Sequence, residues 1–305
     1  MREGDLTWVH VQKPTTSEAI FLAQRFPNFH PLNLEDMLTR HRPKIDEYPD
    51  HLFVVLEFPI HDPVTREITP CVLDAFIGKD FLVTVDLCGR FNSVVRFMKS
   101  CQENAEKKGD FLSGGPGYLL YRIIDLLVDR RMEMVSNIGE KMQALEDKIF
   151  SARAQTLVKE ISTLRRDILY FWQIMWPMRD VVRNLEAKIL RYTRIDTRAY
   201  FSDLHDHLNN IWNALVEYKE IIESLNDTYN SMATYRINDV LRVLTIIMTI
   251  GTILTVVVGW FGMNIPLGPL GSDPGGHALA GFLIFLVSAL IAVIMLYYFW
   301  RKGWL

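Results

Sequence analysis

Residues 243–261, VLTIIMTIGTILTVVVGWF, lead into Gly262-Met263-Asn264, and residues 278–300, ALAGFLIFLVSALIAVIMLYYFW, form a second run without a charge. A hydrocarbon core needs about 20 apolar residues in helical form, and each run meets that length. Both are therefore expected to be transmembrane helices. The opening residues Met1 to Asp5 are polar with no apolar run behind them, so no secretory signal is expected.

Orientation follows from the cations. Arg236 and Arg242 precede the first span, Arg301 and Lys302 follow the second, and the connecting loop contains no lysine or arginine. The positive-inside bias then predicts both termini in the cytoplasm and the loop outside. Trp260, Tyr297, Tyr298, Trp300 and Trp304 lie near the span ends. Amphipathic rings favour that water boundary.

Roughly 240 residues precede the spans, enough for a sizeable soluble core in one or two domains. With 33 basic against 36 acidic residues the net charge is −3, which gives no support to nucleic-acid binding through bulk positive charge. Cys71, Cys88 and Cys101 have no CxxC spacing, which excludes a zinc ribbon or dithiol site and suits a reducing compartment. Each is expected as a small core residue.

Short β-branched and aromatic runs at 52–58, 71–77 and 81–85, separated by turn-rich segments, predict strands of a small sheet. Helices are predicted at 17–25, 34–39 and 91–105, making the N-terminal part mixed α and β. Gly114-Gly115-Pro116-Gly117 breaks the pattern. Beyond it the chain reads as two long antiparallel helices to about Tyr192, with a break near 150–154 and an interruption at Trp176-Pro177. From about Thr197 a final helical pattern runs without Gly or Pro to Ile250 and on into the first span.

Two stripes run along this last helix. Leu204, Leu208, Ile211, Leu215, Tyr218, Ile222, Leu225, Tyr229 and Met232 recur at alternating steps of four and three, the seam of a helix that packs on others. Asp227, Ser231, Thr234, Asn238, Leu241, Thr245, Met248, Thr252, Thr255, Gly259 and Gly262 follow the same steps through the membrane segment. The stripes are roughly 200° apart at 100° per residue, hence on opposite faces. A polar line through an apolar span faces other helices or water. Helix packing through small and hydroxylated residues is one reading, and a pore lining shared by several subunits is the other.

At this point the chain resembles the CorA-type divalent-cation transporters. The carriers are Gly262-Met263-Asn264 after the first of two C-terminal spans, Val243-Leu244-Thr245-Ile246-Ile247 at its opening, and the closing Gly303-Trp304-Leu305. Further matches are His30-Pro31-Leu32-Asn33-Leu34-Glu35-Asp36, Arg42-Pro43-Lys44, Tyr118-Leu119-Leu120-Tyr121, Trp176-Pro177-Met178-Arg179, and Tyr200-Phe201-Ser202-Asp203 with Asp206-His207. They extend the similarity to nearly the whole length, with a shorter N-terminal part.

The resemblance implies a funnel-shaped homopentamer: an α/β cytoplasmic domain, a long helical stalk and two C-terminal transmembrane helices in the inner membrane. The expected divisions are 1–117 for the α/β domain, 118–196 for the antiparallel pair and 197–242 for the stalk. The first span is then 243–261, the motif and outer loop 262–277, the second span 278–300 and the tail 301–305. Gly262, Met263 and Asn264 would form the selectivity filter, and Asn238, Leu241, Thr245, Met248, Thr252, Thr255 and Gly259 the pore lining. Glu35, Asp36, Asp125 and Asp203 would hold regulatory Mg2+ between subunits.

Transport of hydrated Mg2+, with feedback from intracellular metal, is the function this implies. Two alternatives stand beside it: a proton-coupled carrier of Zn2+, Co2+ or Ni2+ on the same scaffold, and a non-conducting membrane metal sensor. Asp203 and His207 share a helix face as a metal pair, yet two ligands do not close a site. The chain has no Walker loop, GxGxxG element or nucleophile triad, so a membrane-tethered hydrolase built on Asp203, Asp206 and His207 is not expected.

Overall fold

A computed structural model describes residues 1–62, 64–65, 67–149, 154–262 and 274–304. The chain divides into two compact units, Met1–Asn226 and Asp227–Leu305. The first unit opens with β1 (Arg2–Glu3), β2 (Leu6–Gln12), α1 (Thr16–Arg25) and α2 (Pro31–Asp36). It continues with β3 (Lys44–Glu47), β4 (His51–His61), β5 (Ile68–Gly78), β6 (Phe81–Asp86), α3 (Asn92–Glu103) and α4 (Ala105–Ser113). The long helices are α5 (Gly115–Lys148), α6 (Ala154–Ile189), α7 (Arg198–Phe261) and α8 (Pro274–Arg301).

The strands form one sheet in the order β1-β2-β6-β5-β4-β3, antiparallel except for the β2/β6 pair. Alternation along the strands builds two faces. Phe53, Val55, Val72, Phe76, Val83 and Val85 pack with Leu22, Phe29, Leu34 and Met37 from the α1/α2 side. On the other face Trp8 meets Phe97 of α3 at 5.8 Å and donates from Nε1 to the Thr84 hydroxyl at 3.0 Å. Every residue of β4 except His61 is buried, so both faces of this strand are covered.

Several readings of the sequence change here. β1, β2 and β3 join the three anticipated strands. β3, Lys-Ile-Asp-Glu, is a polar edge strand held by the ladder to β4 rather than by an apolar pattern. Pro177 does not interrupt α6, which passes through it. Tertiary packing offsets the lost hydrogen bond: Met178 is fully buried and its sulfur accepts from the Glu57 backbone N–H at 3.1 Å. Cys71 and Cys88 are joined by a disulfide with a Cα–Cα distance of 5.9 Å, leaving Cys101 as the free, buried cysteine. The β5/β6 register pairs Leu73 with Asp86, so extending it by two residues sets Cys71 opposite Cys88.

The apolar seam of α7 packs as its spacing predicts: Leu204, Leu208, Ile211, Leu215, Ile222 and Leu225 are buried. Gly139 of α5 admits the Tyr218 ring, since a Cβ there would lie 2.5 Å from its hydroxyl oxygen. At the start of α5, Gly115 has φ +88 and a Cβ would meet the Tyr192 carbonyl at 3.1 Å, while the Gly114 carbonyl accepts from the Arg194 N–H at 2.8 Å. The glycine-rich break is thus a turn wedged against the end of the α6 segment. Gly115→Ala is expected to destabilise the fold by about 1–2 kcal/mol from the left-handed backbone alone, lowering the thermal unfolding midpoint of the full chain.

Candidate functional site

In the second unit the polar stripe of α7 is open. Asn238, Leu241, Thr245, Met248, Thr252, Thr255 and Gly259 are all exposed in the single chain. The hydroxyls of Thr245 and Thr255 donate to the carbonyls four residues back, Leu241 and Gly251, at 2.7 and 2.8 Å, and Thr234 does the same to Asn230 at 2.9 Å. With each proton committed to the backbone, the hydroxyl oxygen presents lone pairs outward. The stripe is therefore an acceptor surface, suited to donors such as metal-bound water. Gly262 closes α7 by donating to the Val258 carbonyl at 3.0 Å. Met263 and Asn264 lie outside the described residues.

The cytosol-facing ends expected for the two spans lie side by side in this unit. Gly303, at φ +70, turns the chain after α8, and Trp304 stacks on Phe299 at 5.6 Å. The Arg242 guanidinium sits 6.0 Å over the Trp304 ring. Trp304 thus links the start of the first apolar run to the end of the second. α8 begins at Pro274, ahead of the expected start at 278.

The carboxylates proposed from the resemblance fall into two groups in the first unit. Asp36, at the end of α2, pairs with His41 at 3.2 Å and Lys44 at 2.9 Å, and Lys44 reaches Asp46 at 2.8 Å. Glu35 beside it is exposed. Beneath them Asp74 of β5 is 1% exposed, and its Oδ2 has no hydrogen-bond partner. Burial first, and then the Asp36 carboxylate, push its pKa well above the usual carboxylate value, with Lys44 opposing.

Asp125 of α5 and Asp203 of α7 form the second group. Arg122 donates to Asp125 at 3.2 Å. Burial raises the Asp125 pKa, Asp129 and Asp203 raise it further, and Arg122 and His207 act against them. His207 Nε2 lies 3.8 Å from Asp203 Oδ1, confirming the shared helix face, whereas His205 turns to Glu186 at 3.5 Å. Sequence reasoning missed Asp129. Its position four residues after Asp125 on a helix was the available signal.

An α/β unit followed by two helices long and apolar enough to cross a membrane defines the class of a two-span membrane protein. Residues 3–302 match the family described as CorA-like Mg2+ transporter protein. The chain belongs to that family. It is 28% identical over 301 residues to the cobalt/magnesium transport protein CorA of Thermotoga maritima, covering 98% of this chain and 83% of the relative. It is 31% identical over 300 residues to the putative metal ion transporter YfjQ of Bacillus subtilis, covering 97% and 89%. The complete structure of the CorA magnesium transporter from Methanocaldococcus jannaschii superposes with a TM-score of 0.85 at 23% identity, covering 100% of this chain and 93% of that one. That likeness establishes the fold.

The buried acid gives a prediction about pH. Because the folded pKa of Asp74 is raised, the stability linked to its neutral form is fully present below the unfolded value of 3.8 and is lost as pH rises through the folded one. Asp74→Asn is expected to flatten this decline and raise the unfolding midpoint at pH 7, measured by thermal unfolding from pH 5 to 8.

Proposed function

We propose that this chain assembles as a homopentamer in the inner membrane, with both termini cytoplasmic, and conducts hydrated divalent cations, Mg2+ first, along a path lined by α7. One observation supports the reading: the stripe of α7 is exposed in the single chain, and on it Thr245 and Thr255 give their hydroxyl protons to the preceding turn and keep oxygen lone pairs outward. Magnesium sheds water reluctantly and favours octahedral oxygen coordination. A lining of acceptors holds the hydrated ion through its water and avoids the dehydration cost.

In this reading Gly262, Met263 and Asn264 form the filter. An amide oxygen from each Asn264 accepts from first-shell water without the charge that would trap the ion. The C-terminal end of α7 supports this, since the negative end of a helix dipole favours a cation. Leu241 and Met248, exposed on the stripe, are placed to close the path by dewetting. A divalent ion gains about 4.6 kcal/mol per 100 mV of inward-negative potential, so no nucleotide is required.

Feedback is assigned to Glu35, Asp36, Asp125 and Asp203. Carboxylates brought together repel, and an intracellular cation that bridges them ties the closed arrangement. Lys44 and His41, which hold Asp36 at 2.9 and 3.2 Å, are the side chains that such a metal would displace. A Zn2+ carrier is less favoured, because the relative named for zinc transport matches 58% of the chain, whereas one named for cobalt and magnesium transport matches 98%.

In proteoliposomes with an imposed potential, Asn264→Ala is expected to abolish selective Mg2+ uptake while the oligomer persists; undiminished selective flux would reject the filter. Flux that follows a proton gradient instead of the potential would select the carrier, and absence of all ion movement the sensor. Asp203→Lys is expected to remove the inhibition of flux by internal Mg2+. An unchanged dependence on internal Mg2+ would dismiss the feedback site.

A further inference from the structure

We infer that Cys71 and Cys88 form a reversible thiol–disulfide site, opened and closed by exchange with low-molecular-weight thiols of the glutathione class. The two are joined across a separation of 17 residues, with Cα atoms 5.9 Å apart. The pairing of β5 with β6 brings them together, so the site needs no CxxC spacing. The inference rests on the reading that this unit faces the cytoplasm, where thiols are kept reduced and the disulfides that do form are usually catalytic or redox-sensing.

The two sulfurs differ in access. Cys71 is fully buried on β5, whereas Cys88, in the turn after β6, is partly exposed. An incoming thiolate therefore reaches Cys88 first. It bonds to the Cys88 sulfur, the Cys71–Cys88 bond breaks, and the electron pair leaves on Cys71 Sγ, which takes up the proton that the small thiol lost. A second thiolate attacks the outer sulfur of the mixed disulfide, the small disulfide departs, and Cys88 takes up the second proton. Two small thiols are oxidised and one protein disulfide is reduced. Closure runs the same steps backward.

Asp86 makes the exchange reversible. It is fully buried, and its two side-chain oxygens accept from the backbone N–H groups of Gly89 and Phe91 at 2.8 Å each. Phe91 is buried in turn, with its ring edge-on to Phe58 at 5.9 Å and the Arg131 guanidinium 5.5 Å away. The turn that carries Cys88 is thus anchored on both sides by contacts other than the disulfide. Cys71 Sγ lies 3.7 Å from Asp86 Oδ1, so the freed S–H finds an acceptor already in place. Opening leaves the fold standing and the sulfurs within reach, and closing adds a tie that restricts the unfolded chain.

The full chain in detergent is equilibrated in glutathione buffers from fully oxidised to fully reduced, quenched with acid, denatured and alkylated, and its thiols are counted by mass. Wild type is expected to pass reversibly between one thiol, that of Cys101, and three, with cooperative thermal unfolding at both ends and the higher midpoint in the oxidised form. A pair that stays closed in reduced glutathione until the chain is denatured is a structural disulfide and would overturn the site, as would three thiols in every buffer. In oxidised glutathione, Cys71→Ser is expected to take up one glutathione at Cys88, and Cys88→Ser none at Cys71. No glutathione on Cys88, or its appearance on Cys71, would overturn the order of attack. The titration uses the purified chain and so stands whichever side of the membrane this unit faces; labelling in cells that placed the unit outside the cytoplasm would remove the topology reading and leave the exchange chemistry measured.

Discussion

A hydroxyl placed in an apolar span must put its proton somewhere, and that requirement governs the working half of this protein. Threonine meets it within α7 by donating to the preceding turn. The helix needs no partner to satisfy those donors, so its outer oxygens are left for whatever passes. Had the protons pointed outward, the same residues would favour contact with carbonyls of other helices.

The same helix answers to two surroundings along its 64 residues. In the first unit its apolar seam is buried against α5, where burial of each large aliphatic side chain contributes roughly 1.5–3 kcal/mol. In the second unit the stripe on the opposite side stays uncovered in one chain. Asp125 and Asp129 of α5 come close to His207 of α7 where the seam is tight.

Periodicity made α7 legible in the sequence, because a spacing of three and four leaves a clear trace over many turns. The spans were legible for the same reason, with length set by the bilayer. Strand β3 was not, since Lys44-Ile45-Asp46-Glu47 gains its order from β4 and has no apolar alternation of its own. The Cys71–Cys88 link escaped because its logic lies in the register of two strands, not in local spacing. Pro177 misled in the other direction: a local helix breaker was outweighed by buried contacts at Met178. At the candidate sites, spacing identified the Asp203/His207 pair and the family resemblance Asp125, while Asp129 became evident only when two helices met.

The turn at Gly303 has a practical meaning for anyone who handles this protein. It folds Trp304 back toward Arg242, at the start of the first apolar run, so this part of the tail is held in place. A purification tag or fluorescent reporter fused behind it would start beside α7 and strain that contact. The exposed β1 edge of the sheet offers a quieter attachment point.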